Sequence, residues 1–139
     1  MKKRFLLTVL VLIAAIATLF SCSPTNEHDP WEDAIYTEDT SFGNGATTVY
    51  VTVEVGENKV VFTLNTDKTI LGEALMEHSL IDGEESAYGL YLKVVNGITA
   101  DYDIDASYWA FYKDSDYMLV GVDSAEISDG ESYSLVYTK

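Results

Sequence analysis

The stretch TTVYVTVEV, residues 47–55, alternates β-branched and polar residues, breaks at Gly56, Glu57 and Asn58, and resumes as KVVFTLN. Side chains of an extended chain point alternately to its two faces, so this pattern suits a strand with one buried face and no other regular structure. Two such runs across a short break make a β-hairpin. A hairpin alone is marginal in water, so the rest of the chain has to supply further strands and a cover for the apolar face.

The segment TDKTILGEALMEHSL offers the cover. Thr69 is placed to cap a helix, and Ile70, Leu71, Ala74, Leu75 and Met76 recur near 3.6-residue spacing, which gives one apolar face. IDGEESAYG then reads as a loop, LYLKVV as a strand, Asn96 and Gly97 as a tight turn, ADYDIDA as an acidic connection and SYWAFYK as a strand. YMLVGV and SYSLVY, separated by DSAEISDGE, are the last expected strands. The order of elements predicts an α+β fold, with one helix packed on a mixed sheet of five to six strands.

Residues 1–21 have a different character. Lys2, Lys3 and Arg4 precede an apolar run from Phe5 to Phe20, followed by Ser21 and Cys22. That is the layout of a signal peptide, and Leu19-Phe20-Ser21-Cys22 resembles a bacterial lipobox. Cys22 is the one cysteine in the chain, so it forms no internal disulfide, and its position fits thioether lipid attachment. The alternative is an uncleaved anchor helix extended by flanking residues to bilayer length. Both readings put the remainder outside the cytoplasm, lipid-anchored or helix-anchored at the cell membrane of a bacterial envelope. Residues 22–46 are rich in Ser, Thr, Asn, Asp, Glu and Gly and hold both prolines, which predicts a flexible tether, interrupted by Trp31, Ile35, Tyr36 and Phe42. The folded domain is expected over 47–139.

Beyond Cys22 the chain carries five lysines, no arginine and 23 acidic residues. Nucleic acids and nucleotides are poor partners for such a surface, because they demand clustered cations and favour the planar arginine fork. Catalysis lacks a foothold as well. His28 and His78 are the only histidines, no HExxH or GxSxG occurs, and neither histidine has an obvious catalytic partner. Asp101, Asp103 and Asp105 alternate as in a calcium loop, but Ala106 stands where such a loop needs glycine and Tyr112 where it needs its bidentate glutamate. The expectation is a non-enzymatic protein with no catalytic residue, no metal site and no required cofactor.

The succession of hairpin, helix, GLYLKVVNGI and YWAFYKDSDYMLVGVDSAEISDGESYSLVY resembles the C-terminal β domain of transcobalamin and intrinsic factor, and the similar stand-alone domains of bacterial lipoproteins. The likeness runs from about Val49 to Lys139 and is carried by the Asn96-Gly97 turn, Tyr108-Trp109, Gly121 and Asp129-Gly130-Glu131 before the final strand. It implies a β-grasp-like module of the soluble-ligand-binding group, and a cobalamin-like corrinoid as ligand. In the animal carriers a large helical domain closes the site, so a separate helical partner protein or a transporter is an implied partner here.

Within SYWAFYK, Trp109 and Phe111 share one face of the strand, with Tyr108, Ala110 and Tyr112 on the other. Trp109 and Phe111 are expected under the helix, and tyrosines on the free face. Tyr88, Asn96, Tyr108, Trp109, Tyr112, Tyr117 and Gly121 are the candidate ligand-binding residues, since tyrosine is an amphipathic contact residue of low conformational entropy. Two functions follow: a surface-tethered lipoprotein that binds a corrinoid-like small molecule, or a non-catalytic adhesion or protein-interaction module of the cell envelope. The first predicts a concave aromatic patch; the second predicts a flat tyrosine-rich face.

Overall fold

The computed structural model describes residues 27–139; the expected signal peptide, Cys22 and the start of the expected tether lie outside the described residues. Among the described residues nine strands follow one another: β1 (Thr40–Phe42), β2 (Thr47–Val55), β3 (Asn58–Thr66), β4 (Ile81–Ser86), β5 (Gly89–Val95), β6 (Ile98–Thr99), β7 (Tyr108–Lys113), β8 (Asp116–Tyr117) and β9 (Ser132–Thr138). Helix α1 (Leu71–Glu77) lies between β3 and β4, and the single turn α2 (Tyr102–Asp105) between β6 and β7. Short 3-10 turns occupy Pro30–Asp33 and Val122–Ser124. The strands form a mixed six-stranded sheet in the order β1-β3-β2-β9-β7-β8 and an antiparallel three-stranded sheet in the order β4-β5-β6.

Alternation in the hairpin builds the core of the large sheet. Val53 lies opposite Val60 on one side and Leu135 on the other, and Leu135 lies opposite Phe111, so one row of apolar side chains crosses four strands. The next row joins Phe62, Val51 and Tyr133. All are buried, and Leu71, Ala74 and Leu75 of α1, Ile81 of β4, Val95 of β5, Ile98 of β6 and Val122 cluster with them. The opposite face of the large sheet has no cover among the described residues: Tyr50 is exposed, and Thr52, Val61, Thr63, Ser134, Val136 and Tyr112 are half-buried.

The α+β class holds, with differences. The expectation of a single helix on a single sheet gives way to two helices and two sheets. Helix α1 starts at Leu71, with Ile70 at its cap position and no side-chain cap, rather than at a Thr69 cap. The reason is tertiary: Ile70 pairs with Glu126, and the Ile127 N–H donates to the Thr69 carbonyl, so residues 69 and 70 are held extended. IDGEES is a strand and not a loop, paired to β5 with a register shift between Asp82 and Gly83. ADYDIDA forms α2 because the Asp101 carboxylate accepts the Asp103 N–H at its start and Ala106, at φ 62°, ends it. YMLVGV is not a strand: pairing with β7 stops at Tyr117, and the chain leaves the sheet.

The boundary expected at residue 47 also moves. Asp29 caps the turn Pro30–Asp33, β1 adds to β3 in parallel, and Trp31, Ala34, Tyr36 and Phe42 pack against the core. Tyr36, Phe42 and Phe62 form a mutually edge-on trio with centroids 5.2, 5.7 and 5.5 Å apart, a favoured aromatic geometry. Asn96 fastens this strap. Fully buried and at φ 53°, its Oδ1 accepts the Tyr36 N–H at 2.9 Å and its Nδ2 donates to the Tyr36 carbonyl at 2.8 Å. Such docking by isolated aromatics shows no periodicity in sequence, which is why the segment reads as a tether.

Lys113 and Tyr133 hold Glu131 at the start of β9. The Lys113 Nζ lies 2.6 Å from Glu131 Oε1 and the Tyr133 hydroxyl donates to Oε2. The ammonium first, and then the hydroxyl, hold the Glu131 carboxyl below its ordinary range, while burial and the neighbouring carboxylate push the Tyr133 hydroxyl up. A carboxyl depressed in the folded state stabilises above its unfolded pKa, and the contribution is lost as pH falls through the folded value. Thermal unfolding is therefore expected at progressively lower temperature as pH drops from about 5 to about 3, with a shallower dependence in Glu131→Gln. Asn96→Ala is expected to cost about 2–3 kcal/mol in urea unfolding, since it leaves both Tyr36 backbone groups without their partner.

Candidate ligand-binding cleft

Where the two sheets meet, the chain leaves a cleft of about 280 Å³. Its floor is Trp109 and Phe111 of β7, one wall is Leu90, Tyr91 and Leu92 of β5, and the other is the segment from Tyr117, the last residue of β8, to Val122. Each part has a local cause. Strand alternation turns Trp109 and Phe111 to the inner face, where Trp109 meets Tyr137 edge-on and Phe111 stacks on Tyr133. The indole N–H of Trp109 donates to the Lys93 carbonyl at 3.2 Å, which ties the floor to β5. The Met118 N–H donates to the Phe111 carbonyl and anchors the start of the second wall.

The rim is apolar and open. Tyr91, Tyr108, Tyr117 and Val120 are exposed, Leu119 is 95% exposed, and Tyr102 of α2 stands edge-on to Tyr108 at 6.5 Å. Exposed apolar side chains gathered around a concave site are a feature that ligand and partner sites share. Charge is kept to the margin. Lys93 bridges Glu84 and Asp101 at 3.0 and 3.2 Å, with its Nζ also 5.7 Å from the Tyr91 ring centroid. Its hydrogen bonds hold the Asp101 carboxyl below its ordinary range and raise the lysine itself.

Four of the expected site residues, Tyr108, Trp109, Tyr117 and Gly121, line this cleft together. Tyr88, fully exposed at the turn between β4 and β5, Tyr112, on the outer face of β7 edge-on to Tyr117 at 5.5 Å, and Asn96, the buried clamp on Tyr36, do not. Sequence reasoning missed Leu90, Tyr91 and Leu92 of β5, Phe111, and Met118, Leu119, Val120 and Val122. For Met118, Leu119 and Val120 the signal was present as YMLVG, an apolar run that an ordinary strand would have buried and that is largely exposed here; the β5 residues gave none.

Among the described residues no group of three His, Cys, Asp or Glu side chains is arranged to hold a metal ion. The aspartates that suggested calcium are engaged elsewhere: Asp101 with Lys93 and the Asp103 N–H, Asp105 with Ser107 and Lys139. The Ser107 hydrogen bonds, and then Lys139, hold the Asp105 carboxyl below its ordinary range.

No family model and no curated protein matches the chain. Solved structures do. A crystal structure at 1.30 Å of a protein from Ruminococcus gnavus ATCC 29149, described as a candidate metal-binding protein, is similar over 67% of this chain and 97% of that one, with 33% identity and a TM-score of 0.63. The chain belongs to the same family as that protein. Haptocorrin in complex with Cbi, a member of the transcobalamin family, is similar over 70% of this chain at 19% identity and a TM-score of 0.55, a likeness of fold. The chain spans about a quarter of haptocorrin, whose matched part is 26% of its length.

Floor and rim separate by energetics. Trp109→Ala empties buried volume and is expected to cost about 3–5 kcal/mol in urea unfolding. Leu119→Ala, at a fully open position, is expected to stay within about 0.5 kcal/mol of the parent.

Proposed function

We propose that this protein is a β-grasp-like ligand-capture module, held at the outer side of a bacterial cell membrane by lipid on Cys22, and that its cleft takes a corrinoid. The observation that carries the reading is the cleft between β5, β7 and the 117–122 wall, with an aromatic floor and an open tyrosine rim. The shared fold with haptocorrin, solved with Cbi, supports the ligand class. A corrin is a large, flat, partly apolar ring fringed by amides, which aromatic faces and backbone polar groups bind without arginine. The cleft, at about 280 Å³, is small and open, so a corrin would enter it by an edge and lie against the exposed rim. Capture involves no bond making, so the module acts without catalysis. The metal-binding description of the Ruminococcus gnavus protein finds no matching donor set among the described residues, and no metal enters the proposal.

An adhesion or protein-interaction role rests on a different surface, the uncovered face of the large sheet around Tyr50, Thr52, Val61, Thr63 and Val136. These side chains are uncharged, as at interface centres.

Equilibrium dialysis of the full chain against cobinamide and cobalamin tests the first reading. Binding tighter than about 10 µM, or about 7 kcal/mol, is expected, lost when Tyr108→Ala and Tyr117→Ala are combined at the rim. No binding at millimolar corrinoid would contradict it, and sensitivity to Tyr50→Glu in place of the rim pair would favour the outer face. Replacement of Cys22 by Ser is expected to release the protein from the membrane fraction.

A further inference from the structure

We propose that Asp123 is the positioning residue of the cleft: its carboxylate joins the 117–122 wall to β5 and sets the distance between them. The inference deepens the capture reading and rests on it only for the effect on ligand. Oδ2 of Asp123 accepts the Leu90 N–H at 3.0 Å. Leu90 needs such a partner, because β6 pairs only with Val94 and Val95 of β5, and the carboxylate stands where a third strand would have supplied a carbonyl.

Three glycines shape the slot. A Cβ at Gly89 would lie 2.4 Å from Asp123 Oδ2, one at Gly121 would lie 2.6 Å from Oδ1, and one at Gly72 of α1 would lie 3.1 Å from the Asp123 backbone. The carboxylate is thus approached from both walls, by Gly89 and Gly121, while α1 packs against the Asp123 backbone. Ala125 accepts the Leu71 N–H, so the segment just past Asp123 is stapled to the helix, and Met118 is stapled to β7. Between the staples, Leu119 and Val120 are exposed and Asp123 supplies the hydrogen bond across to the facing wall. Charge-assisted hydrogen bonds of carboxylate to backbone N–H are among the stronger ones, which suits a single tie.

Gly121 gives the sharpest handle. Its φ of −75° and ψ of 168° are open to any residue, so Gly121→Ala adds a steric conflict with the carboxylate and no backbone strain. At Gly89, φ 100°, the two effects would be confounded.

The test uses the full chain with Trp31→Phe, leaving Trp109 as the single tryptophan and a reporter on the cleft floor. Acrylamide quenching of Trp109 is expected to rise about twofold in Asp123→Ala and in Gly121→Ala, with far-UV circular dichroism unchanged, as local opening requires. Asp123→Asn, which keeps an acceptor oxygen, should quench like the parent. In the double variant Asp123→Ala with Gly121→Ala, the effects should fall short of additive, because the second change has no carboxylate left to displace. Parental quenching in both single variants, or a rise in Asp123→Asn equal to that in Asp123→Ala, would overturn the proposal. Cobinamide affinity in the same proteins is expected to weaken about tenfold in Asp123→Ala and Gly121→Ala. Raised quenching in a family of variants whose parent binds no cobinamide would support the tie and contradict the corrinoid reading. Cobinamide bound equally by all, with unchanged quenching, would support the ligand and contradict the tie.

Discussion

The fold rests on burial of one face of a wide sheet. Val49, Val51, Val53, Phe62, Leu64, Tyr133 and Leu135 are all inaccessible to solvent on that face, and every other element is placed to keep them so. A six-stranded sheet is roughly 24 Å across, from strand spacings of about 4.8 Å, whereas a seven-residue helix is only about 10 Å long. Helix α1 therefore cannot cover the face alone. The three-stranded sheet and the N-terminal strap complete the cover, and the seam where that second layer ends against β7 and β8 is the cleft.

This arrangement explains why floor and function are entangled. Trp109 and Phe111 belong to the same apolar rows that hold the large sheet together, and they also form the base of the site. The rim residues Leu119 and Val120 are free of that duty, since the chain has left the sheet there, and Tyr117 is exposed at the end of the edge strand β8. A rigid floor with an open rim suits the capture we propose: the floor is preorganised by the core, and the rim consists of side chains whose replacement costs little stability.

Sequence patterning reveals what is periodic. The hairpin of β2 and β3 and the two faces of β7 are legible because Val, Phe and Trp alternate with polar residues over long runs. Strand β4 is not, because IDGEES has one aliphatic residue, a glycine at a register shift and three acids, and is a strand only by virtue of its pairing to β5. The acidic ADYDIDA is read by composition as a loop, while its local capping by Asp101 makes it helical. A third of the cleft lining, Tyr108, Trp109, Tyr117 and Gly121, is legible in the sequence. Trp109 and Tyr117 announce themselves as aromatics, whereas Leu90 and Leu92 become site residues only through where β5 ends up, and Asn96 becomes a clamp through a strap 60 residues earlier in the chain.

The central claim is that ligand is held at the seam between the two sheets. The direct measurement is a titration of the isotope-labelled full chain with cobinamide, followed by amide and indole chemical-shift changes. The account predicts changes concentrated at the Trp109 indole N–H, the Leu90 and Leu92 amides and Met118 to Gly121, with Tyr50, Val61 and Val136 unmoved. Changes centred on those three outer-face residues, or none at saturating cobinamide, would contradict it.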